Sequence, residues 1–540
     1  MKRNSRSSRG RVVIAVCAAL ATGTLLAGCG GASSSSGGSS AAATSGNTGG
    51  DTVDGNATLD IAMPVAQSLD PRQAPEPGQL LISAWPVYDR LIQVGPDARY
   101  QPMLATKWEF SPDGTTLTLT LRQGVTFSDG TPFDAEAVKA NLDAYQKADK
   151  TAVQASLADV AGVTVVSADT VELQLKKAST TVLSALSSTL SGIMVSPKAL
   201  NSPDLAGHPV GTGAYVIESF KPGQSVVYKR RTDEGGIWDP KTGKPAEVAI
   251  TSYSSSEAME NAVKSGQADV ITWSAGDKKP FQSQLDSGQL QAHVLTQSTN
   301  TVGLNIKPSV KPYDDVKVRQ AINHAINRQA IVEALQPANR PRVQPWPEQL
   351  PGFDAAREGA YPYDPAKAKE LLAQAGHPDG FDGGEMLVAQ VPGFSAVAEA
   401  VQADLAAVGI KIQVRTMDIY SLVTEWAKAP NPLELMYMNT SSIDAYSWLQ
   451  RLFVNPLWRP AGADPELVKL TEGVDDPSLT DEQRAAKVGQ AVAYATDNAL
   501  YAPLWQGSGG YVATGKVRGL DDVASVHGGV ADLRNTYLAQ

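Results

Sequence analysis

Residues 397–414 read VAEAVQADLAAVGIKIQV. Val397, Val401, Leu405 and Val408 recur at helical spacing, which gives one apolar helix face. Gly409 ends that helix, because glycine adopts the left-handed backbone of a helix terminus without steric cost. Ile410, Ile412 and Val414 then alternate with polar residues, the period of a half-buried strand. Helix, glycine and strand in succession predict an α/β fold.

The same periods recur on either side. Asp364-Pro365 predicts a helix with proline at its first position, with Leu371, Leu372 and Ala375 on one face and Gly376 as its stop. Val318, Ala321, Ile322, Ala325 and Ile326 are spaced for one face of another helix. Further upstream, Asp134 is placed to cap a helix carrying Val138, Leu142 and Tyr145, with Glu136 in the first turn. Leu117, Leu119 and Leu121 alternate as a strand after the turn signal Asp113-Gly114, and Val171, Leu173 and Leu175 alternate again. Globular patterning starts at Leu59 and leaves a body of about 480 residues, too large for one core.

Before that body the chain reads differently. Lys2, Arg3, Arg6, Arg9 and Arg11 lead into the apolar run Val12–Leu26, which is short of the roughly 20 residues that span a bilayer. A basic head, a short apolar run and small residues together predict a signal peptide over 1–28. Leu26-Ala27-Gly28-Cys29 resembles the bacterial lipobox, which implies cleavage before Cys29 and lipid on its sulfur. Residues 29–58, mostly Ser, Gly, Ala and Thr, predict a flexible tether, because they have too little apolar surface to offset the entropy of ordering.

Charge and cysteine content exclude several chemistries. The chain has 46 basic and 56 acidic residues, and losing the five leading cations leaves 41 against 56. Phosphates would be repelled, so nucleic acid is not an expected partner. Of the two cysteines, Cys17 lies in the signal and Cys29 at the lipid site, so disulfides, thiol nucleophiles and thiolate metal sites are not expected. The five histidines are dispersed, with no H-E-x-x-H pair, and no G-x-S-x-G elbow, Walker loop or dinucleotide fingerprint is present. No catalytic residue, metal or cofactor is expected, and the chain reads as a binder rather than an enzyme.

Several segments, in order, resemble the bacterial extracellular solute-binding proteins of family 5, the oligopeptide/dipeptide/nickel-binding receptors of ABC importers. They include Leu69-Asp70-Pro71, Val87-Tyr88-Asp89-Arg90-Leu91, Trp108-Glu109 with Asp113-Gly114, and Leu121-Arg122-Gln123-Gly124-Val125 with Asp129-Gly130. Gly211-Thr212-Gly213-Ala214-Tyr215, Gly266-Gln267-Ala268-Asp269-Val270, Arg319-Gln320-Ala321 and Tyr363-Asp364-Pro365 follow. The resemblance implies a two-lobed periplasmic-binding-protein-like α/β fold (type II, cluster C) with an extra subdomain in the first lobe. Lobe I would take 59–102, 208–300 and 507–540, the extra subdomain 103–207, and lobe II 301–506. The two chain crossings would lie near Thr301-Val302-Gly303 and Trp505-Gln506-Gly507, where glycine is compatible with a hinge.

The resemblance also implies a function: capture of short peptides or peptide-like solutes by lobe closure, and delivery to ABC permease and ATPase subunits. The molecule would be a monomer outside the cytoplasm, held to the cell membrane by lipid on Cys29. Nickel chelate, haem or oligosaccharide are alternative ligands on the same scaffold, and a lipid-anchored hydrolase is a remote one. Trp85, Trp273, Asn305, Tyr437, Asn439, Asp444, Trp448 and Trp505 are the expected ligand contacts. Plain core packing is the competing reading for each Trp. Peptide-binding relatives hold the ligand amine with an Asp beside a Trp-containing turn, and here that position falls on Ser441 or close to Asp444, in a turn without Trp. Arg122 and Arg319 are expected to pair with acids or cap carbonyls.

Overall fold

The structure is a computed structural model that describes residues 52–74, 77–148, 151–233, 235–273, 278–295, 301–337, 339–391, 393–428, 431–438, 443–455, 459, 462–507, 509–520, 525–526 and 530–540. The expected signal peptide, Cys29 and most of the expected tether lie outside them. The tether's last residues differ from expectation. Val53 bridges Ala539, Asp54 N–H donates to Leu538 O at 2.9 Å, and Gln540 N–H donates to Thr52 O at 2.9 Å. Backbone groups pair whatever the side chains are, so a low-complexity composition did not prevent this seam.

Three sheets organise the rest. A seven-stranded sheet runs in the spatial order Leu290–Leu295, Gly509–Thr514, Val270–Trp273, Thr58–Ala62, Glu247–Thr251, Ser225–Arg230 and Tyr215–Lys221. A six-stranded sheet runs Arg340–Pro341, Tyr501–Gln506, Thr301–Ile306, Leu433–Met438, Phe381–Ala389 and Ile410–Met417. Ala105–Phe110, Thr116–Leu121, Thr170–Leu175 and Val160–Ser167 form an antiparallel four-stranded sheet inserted between strands of the first. The chain leaves the seven-stranded sheet after Leu295 and enters the six-stranded one at Thr301. It returns between Gln506 and Gly509, so two crossings join the two large sheets.

The local signals resolve in physical detail. Phe394–Ala407 is helical and Ile410–Met417 is a strand paired in parallel with Phe381–Ala389, as the opening stretch predicts. Asp134 caps Ala135–Gln146 by accepting from Ala137 N–H at 2.9 Å, and Val138, Leu142 and Tyr145 are buried. The helix from Val316 ends at Ala325, one residue short of the expected face. Ile326 is extended there, and Asn327 caps a second helix over Arg328–Leu335.

Packing follows the sheets. Leu59, Ile61 and Val226 of the seven-stranded sheet share one continuous core with Leu117, Leu119 and Leu173 of the four-stranded sheet. The six-stranded sheet is buried on both faces. Val302, Leu304, Leu435 and Trp505 pack with Val397, Val401 and Leu405 in one core, while Met438 and Tyr501 join Trp346 and Trp448 in another. Gly303 admits close strand approach: a Cβ there would lie 2.6 Å from Pro503 Cα, and the register shifts between Val302 and Gly303. That is a packing requirement on glycine, distinct from hinge freedom.

Candidate functional site

The two large sheets meet their crossings at defined edges. In the seven-stranded sheet, Thr58–Ala62 and Val270–Trp273 run parallel, Trp273 pairs with Gly510, and Leu295 pairs with Gly509. Trp273 therefore stands at the edge from which both crossings depart. In the six-stranded sheet Thr301 pairs with both Met438 and Gln506, and Val302 with both Tyr437 and Trp505. Tyr437 and Trp505 thus sit one residue in from the matching edge. Crevices outside the carboxyl ends of parallel strands are where open α/β sheets bind ligands.

The side chains at these edges are held by aromatic packing. Trp273 is mostly buried and meets Phe281 edge-on, with centroids 6.5 Å apart. Phe394 joins the other two: its ring lies 5.0 Å from Tyr437 and 6.3 Å from Trp505. Trp505 is buried in that cluster, whereas Tyr437 keeps partial exposure, and burial raises its phenol pKa. Beside them Gln506 accepts from Arg342 Nε at 3.0 Å and donates to Gln349 at 2.7 Å. Arg342 and the Gln349–Gln506 pair had no sequence signal, since their sequence separation conceals their meeting.

Other expected contacts are placed elsewhere. Trp448 is fully buried against Trp346, centroids 6.1 Å apart, and presents no surface to a solute. Asn305 stands four residues along its strand from Thr301, roughly 13 Å at the rise of a strand. Its amide donates to Glu434 inside the second sheet's body. Trp85 follows helix Pro77–Ala84 and packs in the first core, beside Asp89, Thr212, Trp238 and Arg534. Asn439 and Ser441 lie outside the described residues.

Asp444 has a different task from the one expected of an amine-binding carboxylate. It is the N-cap of helix Ala445–Leu449, where its Oδ2 accepts from Ser447 N–H at 2.7 Å and from the Ser447 hydroxyl at 2.9 Å. Its Oδ1 accepts from the Thr180 hydroxyl at 3.3 Å, across from the insert that carries the four-stranded sheet. Burial raises the Asp444 pKa, with the Ser447 and Thr180 hydrogen bonds opposing. Thr180 itself precedes helix Thr181–Ser187 and makes no side-chain cap there, because its hydroxyl turns to Asp444.

The motif residues are scaffold. Asp89 accepts from Arg534 at 2.6 Å, from Thr212 at 2.8 Å and from Trp238 at 2.6 Å, which joins two of the quoted segments to the chain's end. Arg122 donates to Met103 O and lies over the Trp238 ring, and Arg319 donates to the carbonyls of Asn498, Tyr313 and Asp314. Both arginines thus do the carbonyl-capping expected of them. Among the described residues no group of three or more His, Cys, Asp or Glu is arranged to hold a metal ion, and no helix is long and apolar enough to cross a membrane.

Comparison with known proteins agrees with this architecture. The model of bacterial extracellular solute-binding proteins, family 5, middle region, matches residues 99–456. The glutathione-binding protein GsiB of Salmonella paratyphi A is 30% identical over 382 residues, covering 69% of this chain and 73% of that protein. Among solved structures, the periplasmic binding protein DppA from Helicobacter pylori in complex with peptide STSA matches with TM-score 0.71 and 20% identity, over 90% of this chain and 98% of that one. NikA from Brucella suis in complex with Fe(III)-EDTA matches with TM-score 0.73 and 23% identity, over 86% and 96%. The fold is therefore the two-lobed, cluster C arrangement with an extra subdomain in the first lobe. The chain belongs to the bacterial extracellular solute-binding proteins of family 5.

Proposed function

We propose that this chain captures a short peptide or peptide-like solute between its lobes and delivers it to the permease and ATPase of an ABC importer. The observation that carries the reading is the alignment of both crossings with the edges bearing Trp273, Tyr437 and Trp505. Two sheets that the chain connects at these edges can close on a solute that touches both, and the solute then stabilises the closed state. Lobe I takes 59–102, 208–300 and 507–540, the extra subdomain 103–207, and lobe II 301–506.

Its family is one of binding proteins, and no reaction is assigned to it. Lipid on Cys29 would hold the monomer to the cell membrane outside the cytoplasm, through the Ser/Gly/Ala-rich stretch that follows it. A glutathione-binding relative at 30% identity makes glutathione a first solute to test. Asp444 is nearly buried, caps a helix and accepts from Thr180, so recognition of a free α-amine there is not part of this reading.

The test is mass spectrometry of solutes released by denaturing the purified protein. Peptides or γ-glutamyl compounds are the expected result. A metal chelate, haem or glycan would replace the peptide assignment while leaving the binding role. Turnover of a substrate by the protein would overturn the binding role itself.

A further inference from the structure

We infer that Thr180 is a positioning residue for lobe closure: it seats the extra subdomain directly on lobe II and sets the width of the closed cleft. The inference rests on the closure reading above.

The contact is made by protein atoms alone and involves several short segments. Thr180 N–H donates to the Asp475 carbonyl at 2.8 Å, and the Thr180 hydroxyl donates to Asp444 Oδ1 at 3.3 Å. One short, β-branched residue thus bonds two separate segments of lobe II, and its stiff side chain allows little play. Lys177 Nζ lies 3.8 Å from Asp475 Oδ2 and 5.6 Å from the centre of the Tyr446 ring. Gly114 lies against the ring of Pro477, where a Cβ would come within 3.2 Å. Lys177 is half exposed, so its ion pair is screened and adds little. The two Thr180 bonds and the buried Asp444 carboxylate carry the contact.

Asp444 is only 7% exposed and its Oδ1 already accepts from the Thr180 hydroxyl, so little of it is left for a solute ammonium. The contact therefore acts as a stop that fixes lobe separation and withholds Asp444 from the solute. Such a stop selects solutes that fit the remaining gap without an amine at that place. Because no solute atom takes part, it also biases the empty protein toward closure.

Two variants separate the bonds. Thr180→Val removes the hydroxyl and keeps the shape. Thr180→Pro removes the N–H as well, and the fixed φ of proline, about −65°, suits the −76° found at Thr180. The full chain is stripped of solute by unfolding and refolding, its fold is checked by circular dichroism, and its radius of gyration is measured by small-angle scattering. The expected result is a graded expansion, with Thr180→Val more open than the unchanged protein and Thr180→Pro more open still. If Thr180→Pro does not refold, the Thr180→Val comparison decides alone. Equal radii for the stripped unchanged protein and the folded variants would overturn the inference. That outcome is distinguishable from failure of the closure reading, in which the unchanged protein would not compact on binding the solute recovered from it.

Discussion

Asn305 donates its side-chain amide to the carboxylate of Glu434 on the neighbouring strand of the six-stranded sheet, where Glu434 is fully buried. Burial pushes Glu434 up to about 7, while the Asn305 hydrogen bond and the cations Arg451, Arg459 and Lys307 pull the other way. Burial lowers all three of those cations in turn. A carboxyl raised in the folded state gives stability below its unfolded pKa, near 4.5, and loses it as pH rises through about 7. Glu434→Gln, which cannot ionise, is expected to gain on the unchanged protein by about 1.4 kcal/mol per pH unit between those limits. Urea unfolding of both proteins from pH 4.5 to pH 8 checks it, and a constant difference would show that Glu434 titrates normally.

The chain's end is fastened by charge. Arg534 pairs with Asp89 at 2.6 Å and with Asp532 at 2.8 Å, and Arg90 pairs with Asp532 at 3.1 Å, all of them nearly buried. Arg534→Ala leaves an excess of buried negative charge and is expected to cost about 3–5 kcal/mol of unfolding free energy. Arg534→Lys, which keeps the charge without the fork, should cost less. Denaturant midpoints at constant slope measure both.

Trp448 tests the division between packing and binding. Its indole is enclosed with Trp346, Leu449 and Phe453, so Trp448→Ala is expected to lower stability by about 3–5 kcal/mol. A change within about 0.5 kcal/mol, the range typical of surface substitutions, would place the ring at a surface instead.

Gly303 tests the close approach at the first crossing. Gly303→Ala drives a Cβ into the backbone of Pro503 and Ala502, for an expected loss of about 1–3 kcal/mol. Thermal unfolding reads it directly, and an unchanged midpoint would mean that the strands part freely.

What was legible in the sequence was whatever short-range physics determines. Gly409, Asp134 and Asp364 stop or cap helices where their chemistry requires, and the alternating leucines of Thr116–Leu121 point inward as their period demands. The site was only partly legible. Trp273 and Trp505 stand at the crossing edges because strand register puts them there. Trp448 and Asp444 were both expected ligand contacts, yet one is core and the other a helix cap that also accepts from Thr180. Their roles depend on Trp346 and on Thr180, which is 264 residues from Asp444, and no local pattern reports a pairing at that range. Glu434 was not anticipated for the same reason, since its meaning comes from Asn305, 129 residues away.

The central claim is that two lobes joined at one edge close over a solute. Small-angle scattering of the stripped chain, before and after adding back the solute identified by mass spectrometry, tests it most directly. The radius of gyration is predicted to fall at saturation. Saturating binding, verified by calorimetry, with no fall in the radius would contradict it.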